Sequence, residues 1–482
     1  MRLKFPAALA GAWSLLVLAA IGRQQVEGDT LWHIKTGEYI MTHGIPRADP
    51  FSWSMPGHYW VAHEWGWELL ACWAYRAGGK WGVWLLTAAA GAVFLWCLWR
   101  LISRRLSGPA AVLVFIVASS GAAVFWDSRP HVMAQAFFAL WMYILLSYRE
   151  RPGLIWFLPV IALAWANEHA SVPLGPALLV LEWVYGHFAL DLGAVINKSV
   201  SRELNRKMGL ALIVSVLATF INPQGPALWS YTVMASSTPQ IINNISEWAS
   251  PNFHLGMFMI FPGFLILSGL FAVATTRRIT LRELILFLLF TALSLRSVRH
   301  TPYLAFVWAV VVSGILSGWN IGCEKEAGRW ERFISPLVIF LSLAMVCFIL
   351  PPKWTEQPHE NLRFPVAAVD YLQKHGLTDR VANYYSWGGY LIWRDIKPFI
   401  DGRADMYVTG AVWKDYIALS RSPLPGVPQD TPESVLACWH VKTVLMPTGG
   451  FTDLYLKHCK GWKEVYHDDI AVVYENCEGT KE

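Results

Sequence analysis

The chain has 482 residues, of which 55% are hydrophobic and only 15% charged, whereas a soluble chain carries about 25% charged residues. Mean hydropathy is +0.37. Such an apolar surplus, clustered in long runs, excludes a soluble globular enzyme, a disordered regulator and a coiled coil, and fits a membrane protein. The formal net charge of +5 comes without a basic arm, a helix-turn-helix or a zinc-finger spacing, so no nucleic-acid partner is expected.

The N-terminal MRLK followed by FPAALAGAWSLLVLAAIG predicts a first membrane helix that starts in the cytoplasm and is not cleaved, because no small-residue cleavage site follows. Ten further apolar segments centre on 82–100, 108–125, 132–148, 154–166, 171–190, 208–221, 255–274, 283–295, 302–319 and 333–350. Two of them, 154–166 and 283–295, fall short of the roughly 20 residues a full span needs. About eleven spans place residues 351–482 outside the cytoplasm. The basic residues agree: 17 of the 39 Lys and Arg fall in the predicted inner loops, against 8 in the outer ones. Residues 1–350 therefore read as a transmembrane domain with two long periplasmic loops, 23–80 and 222–254. Both loops are rich in Trp, Pro and His and are expected as short amphipathic helices at the membrane surface. The chain is expected in a membrane.

Beyond residue 350 charges become frequent and the pattern alternates. PVAAVDYLQKHG and FTDLYLKHC read as helices; RVANYY, KPFIDG and VKTVLMP read as strands; EVYHDDIAVVYE reads as a terminal strand pair. The fold class is thus a polytopic α-helical membrane protein carrying a soluble C-terminal α/β domain, 351–482. Seven cysteines include no CxxC pair. Cys72, Cys97 and Cys347 read as packing residues, whereas Cys438, Cys459 and Cys477 allow one disulfide outside the cytoplasm.

The candidate chemistry lies at the outer membrane face. Asp29 closely follows the first helix, and His33 comes one helical turn later. His63 and Glu64 return near the next membrane entry. Other outer corners add Arg129 and His131 in DSRPH, Asn167 and His169 in NEH, Glu247 in SEW, and Arg299 and His300 in RSVRH. Ionisable groups at membrane depth are costly and usually pair or line a cavity. A carboxylate near cations suits group transfer from a lipid phosphate: Asp29 takes a proton from an acceptor hydroxyl, and Arg129, His131, Arg299 and His300 hold the departing phosphate. A divalent metal on Asp29, His33, His63 and Glu64 is the competing reading, although neither HExxH nor a first-loop DxD is present. No other cofactor is expected. GGY at 388–390 reads as a turn into a helix, and Asp401 and Arg403 as a structural pair.

A first outer loop with an acidic residue just after the first span resembles the GT-C class of membrane glycosyltransferases. The strings GDTLWHIKTGEYIMTHGIPRADPFSW, HEWGWELL, INPQG, SEWASPNF, SWGGYLIW and FIDGRADMY resemble a group of bacterial multi-pass membrane proteins. The resemblance implies a GT-C-like fold, a bacterial inner-membrane location, a polyprenyl-phosphate sugar donor, a lipid-linked or cell-envelope glycan acceptor, and Asp29 as base or metal ligand. The absence of the paired acidic motif of oligosaccharyltransferases argues against a protein acceptor. The alternatives are a transporter or flippase for a lipid-linked sugar, which needs polar groups through the membrane depth, and a non-catalytic scaffold in envelope assembly.

Overall fold

The computed structural model describes residues 5–21, 27–254, 263–269, 277–318, 337–345, 364–408, 410–421 and 430–477. The chain divides into two compact units. One comprises residues 1–24, 77–237 and 242–351, and the other 25–76, 238–241 and 352–482. Among the described residues up to Ala218 the α-helices are α1 (Phe5–Ile21), α2 (Gly28–His43), α3 (Trp65–Ile102), α4 (Gly108–Ala123), α5 (Pro130–Leu145), α6 (Leu158–Glu168), α7 (Leu174–Gly186) and α8 (Arg202–Ala218). Helix α3 is broken at Gly78–Gly79. Gly79 has φ +56°, a left-handed value that a side chain would disfavour.

The first unit is helical. A proline in the first turn starts α4 and α5, where its missing N–H costs nothing. A reciprocal capping box between Thr280 and Glu283 starts the helix Leu281–Arg296. The helix Thr301–Ser317 buries nearly its whole length, as an all-apolar helix must. Each of the eleven apolar segments contains helix among the described residues. Residues 255–262, 270–274, 319, 333–336 and 346–350 of those segments lie outside the described residues, as do the N-terminal MRLK and the basic loop holding Lys325, Arg329 and Arg332. The helix of Trp65–Ile102 and the stretch Val298–Ser317 are long and apolar enough to cross a membrane. The short segment 154–166 is lengthened by a 3-10 turn, Pro152–Phe157, that leads into α6.

Acidic groups inside or next to these segments are matched by arginines of the predicted inner loops. Glu283 takes Arg105 at 2.7 Å and Arg277 at 3.3 Å. Glu182 lies 3.4 Å from Arg282, and Asp191 lies 2.7 Å from Arg278. Three short strands, β1 (Leu190–Asp191), β2 (Val195–Asn197) and β3 (Ile279–Thr280), tie the same region together in that order.

The second unit is α/β. Its strands β4 (Val381–Asn383), β5 (Thr443–Pro447), β6 (Trp462–His467) and β7 (Ala471–Asn476) form a sheet of order β4-β5-β7-β6. The β4–β5 pair is parallel and the others antiparallel. The helix Val366–His375 covers the sheet, and its Ala368, Val369 and Leu372 share a core with Val381, Leu445 and Val473. The first-loop helix α2 belongs to this unit and drives Leu31 into the same core.

KPFIDG, expected as a strand, is not one. Pro398 forms a single bridge to Val381. The Asn383 side chain replaces the ladder beyond it, accepting from the Phe399 N–H at 2.8 Å and donating to the Ile400 carbonyl at 2.8 Å. The first loop takes up further groups of this segment: Trp53 N–H donates to the Pro398 carbonyl at 3.2 Å, and Ser54 Oγ to the Phe399 carbonyl at 2.5 Å. No disulfide joins Cys438, Cys459 and Cys477, so the allowed bridge does not form.

Candidate functional site

Asp29 is the second residue of α2 and the acidic member of its first turn, where the helix dipole favours a negative charge. Its Oδ1 accepts a hydrogen bond from the Trp32 indole N–H at 3.1 Å. Gly402 lies against the same oxygen, leaving no room for a side-chain carbon. Two more glycines allow this approach. A carbon added to Gly389 would overlap the Gly28 carbonyl, and one added to Gly388 would strike the backbone of Ile400 and Asp401. The GGY string opens the helix Gly388–Trp393, as its sequence suggests, and seats it on the start of α2.

His33 is 3% exposed and lies between two carboxylates. Its Nε2 is 3.9 Å from Glu64, and its Nδ1 is 3.4 Å from Glu68, itself 1% exposed. The other Glu64 oxygen is 3.5 Å from His63 Nε2. His63 Nδ1 lies 3.0 Å from the Val61 carbonyl. Burial works against a charged His63, but the Glu64 carboxylate, by charge and hydrogen bond, and Asp405 together push its pKa up to about 9. The structure thus brings His33, His63 and Glu64 together. It adds Glu68 and Asp405, which the sequence reading missed. Glu68 was within reach of that reading, since it stands one helical turn after Glu64. Among the described residues no group of three or more His, Cys, Asp or Glu is arranged to hold a metal ion.

Asp401 and Arg403 pair as expected, and the pair is fully buried. Arg403 Nε donates to Asp401 Oδ1 at 2.8 Å and Nη2 to Oδ2 at 2.6 Å. Nη1 reaches Asp49 at 2.6 Å, and Tyr407 OH donates to Asp401 at 2.6 Å. The guanidinium also lies over the rings of Trp60 and Phe51, at 4.8 and 5.3 Å. Burial alone would raise the Asp401 carboxyl, but the Arg403 charge and its hydrogen bonds hold it below the usual carboxylate range. This cluster immobilises both residues that flank Gly402.

The first unit collects the cationic candidates at one corner. Arg129 Nη1 bonds Glu247, and its Nε lies 3.6 Å from Asp127. His131 Nε2 is 3.1 Å from Asp127 and 2.7 Å from the Phe125 carbonyl. Arg299 lies 4.4 Å over the Trp248 ring. Ser297 Oγ donates to the Glu247 carbonyl at 2.9 Å, and Val298 N–H to the Ala249 carbonyl at 3.0 Å, which ties the SEW turn to RSVRH. Although burial opposes ionisation, Arg129, Arg299 and His131 hold the Glu247 carboxyl below its ordinary value, and His131 and Arg129 do the same for Asp127. The positive charge of Arg129 is therefore matched by two carboxylates. His300 follows Arg299 in the same corner, with its ring 6.3 Å from Tyr303. His169 and Asn167 have structural partners: His169 Nδ1 lies 2.9 Å from Ser171 Oγ, and Asn167 donates to the Leu163 and Ile221 carbonyls.

No family model and no curated protein matches the chain in sequence. Solved structures do match in fold. The archaeal oligosaccharyltransferase AglB from Archaeoglobus fulgidus, in complex with an inhibitory peptide and a dolichol-phosphate, aligns with a TM-score of 0.52 at 12% identity, over 93% of this chain and 70% of its own. An Archaeoglobus fulgidus oligosaccharyltransferase in complex with Zn and sulfate aligns with a TM-score of 0.51 at 12% identity, over 96% of this chain and 73% of its own. ArnT from Cupriavidus metallidurans bound to undecaprenyl phosphate aligns over 97% of both chains at 12% identity, with a TM-score of 0.45. The first two alignments establish the architecture: this chain shares the fold of the Archaeoglobus fulgidus oligosaccharyltransferase.

Proposed function

We propose that the protein is a membrane glycosyltransferase that moves a sugar from a polyprenyl-phosphate donor to a lipid-linked or cell-envelope glycan on the periplasmic face. The observation that carries this reading is the Asp29 carboxylate, fixed at the start of α2 by the Trp32 indole, within a fold shared with an enzyme solved on a dolichol-phosphate. Asp29 removes the proton of an acceptor hydroxyl. The acceptor oxygen then bonds to the anomeric carbon as the bond from that carbon to the donor phosphate oxygen breaks, so the anomeric centre inverts. The lipid phosphate leaves with the electron pair and the proton remains on Asp29. Arg129, His131, Arg299 and His300 of the first unit are assigned to phosphate, a separate assignment to be tested by separate variants. For Arg129 to serve, it must exchange Glu247 or Asp127 for the phosphate.

Pairing of Glu182, Glu283 and Asp191 with inner-loop arginines favours this one-sided enzyme over alternating access. The test is mass spectrometry of envelope glycans and lipid-linked sugars from cells lacking the protein. A missing glycoside that returns with the wild-type chain and not with Asp29→Asn is the expected result. Restoration by Asp29→Asn removes Asp29 from the reaction. Movement of a sugar lipid across proteoliposomes with no glycosidic bond formed replaces the enzyme by a flippase.

A further inference from the structure

We infer that Trp32 is the positioning residue of the proposed base, and that His33 and Glu68 hold it in place; this deepens the glycosyltransferase reading and rests on it. The indole N–H is the donor on Asp29 Oδ1, at 3.1 Å. The Trp32 ring is buried, 5% exposed, and is held on two sides. The His33 ring lies 3.6 Å away, tilted by 34°, and Trp60 meets it edge-on at 6.3 Å. His33 lies in turn 3.4 Å from Glu68 and 3.9 Å from Glu64. Glu68 sits at a close crossing of α3 and α2, for a carbon added to Gly37 would overlap the Glu68 carbonyl. Each group therefore restrains the next, from the α3 backbone through Glu68, His33 and Trp32 to the carboxylate.

The consequence is geometric. A carboxylate on a free side chain samples several rotamers, and a base must lie within hydrogen-bond reach of the proton it takes. A donor locked in a packed ring fixes one oxygen and thereby the plane of the carboxyl group. The Gly402 backbone closes the same oxygen from another direction. The Asp401–Arg403 pair that flanks Gly402 is satisfied within itself.

Trp32→Phe keeps an aromatic ring against His33 and Trp60 and removes the donor. In the transfer assay it lowers kcat by about 10- to 100-fold while KM stays within about twofold, because the lost contact orients a reacting group and binds no substrate. A second measurement needs neither activity nor that variant's folding. In the full-length protein in detergent, labelled with 15N-indole tryptophan, the Trp32 N–H proton resonance moves upfield in Asp29→Ala if the bond to the carboxylate exists. The resonance is assigned by its loss in Trp32→Phe or, where that variant does not fold, in Trp32→Tyr. An unmoved resonance in Asp29→Ala overturns the inference. Unchanged kcat in Trp32→Phe beside an inactive Asp29→Asn overturns the positioning role alone. Retained turnover in Asp29→Asn removes Asp29 as the base and, with it, the catalytic purpose of Trp32, whereas transfer absent from every variant and from the wild type overturns the functional reading.

Discussion

Gly402 lies directly against Asp29: a side-chain carbon on Gly402 would overlap Asp29 Oδ1 and come within 3.1 Å of Trp32 Nε1. The two residues are 373 positions apart, so the C-terminal segment forms one wall of the carboxylate's surroundings. Gly402 is not among the glycines with positive φ. Steric room, not backbone freedom, is therefore what fixes glycine there. The turn has little freedom to yield, because Asp401 and Arg403 on either side are clamped by four charged hydrogen bonds and the Tyr407 hydroxyl.

Gly402→Ala should therefore displace Asp29 rather than the turn. Overpacking of this kind costs about 1–3 kcal/mol, which a cooperatively packed unit survives. A misplaced reacting group costs about 100-fold in rate. The expected outcome is a chain that still purifies, unfolds only a few degrees earlier in a thermal melt, and has lost most of its transfer activity. Wild-type turnover in Gly402→Ala would mean that the position of Asp29 does not limit the reaction.

The buried cluster beneath this contact makes a different prediction. Arg403, its side chain 1% exposed, neutralises Asp49 and Asp401 together, both with side chains 0% exposed. Removing it leaves two buried carboxylates without their counter-charge, a change that costs about 3–5 kcal/mol. Arg403→Ala should unfold the second unit, detected as proteolysis within residues 352–482 and loss of the near-ultraviolet aromatic signal. Arg403→Lys keeps the charge but not the three-way fork, so it should fall between. The double variant Asp49→Asn with Arg403→Lys should recover part of the loss, since one uncompensated charge is gone. If Arg403→Ala melts like the wild type, the cluster does not hold the unit together.

The helices were legible because apolar length and the basic-residue bias are local signals, and all eleven apolar segments contain helix among the described residues. The grouping of His33 with Glu64 and His63 was also within reach, since α2 and the start of α3 are close in sequence. The role of the C-terminal strings was not. SWGGYLIW and FIDGRADMY read as a turn and a salt bridge, whereas their glycines record a close approach to Gly28 and Asp29 that no local pattern reports. KPFIDG failed as a strand for a similar reason. One polar side chain, Asn383, takes the hydrogen bonds that a ladder would use, and alternation of residue type carries no trace of that. The cationic corner was seen as a set of positive charges. Asp127 stands two residues before Arg129 in DSRPH, but the neutralisation by Glu247 depends on which loops meet, and residues 129 and 247 meet only in the fold.

His63 gives the pH dependence its sign. Its folded pKa is raised from an ordinary 6.5 to about 9, against the effect of burial, by Glu64 and then Asp405. A group whose folded pKa exceeds its unfolded one binds protons more tightly when folded. Its contribution is complete below about pH 6.5 and disappears as pH rises through about 9. Stability of the second unit should therefore fall across that window, by on the order of 2 kcal/mol. His63→Gln keeps the size and polarity but cannot take up the charge. It should be less stable than the wild type at pH 6 and nearly equal to it at pH 9.5, so the two melting curves converge as pH rises. Glu64→Gln should flatten the same limb by removing the partner instead of the imidazole. Thermal melts of the three proteins between pH 6 and pH 9.5 decide the matter. Parallel curves for wild type and His63→Gln would show that His63 is not held charged by Glu64, and that this pair contributes packing alone.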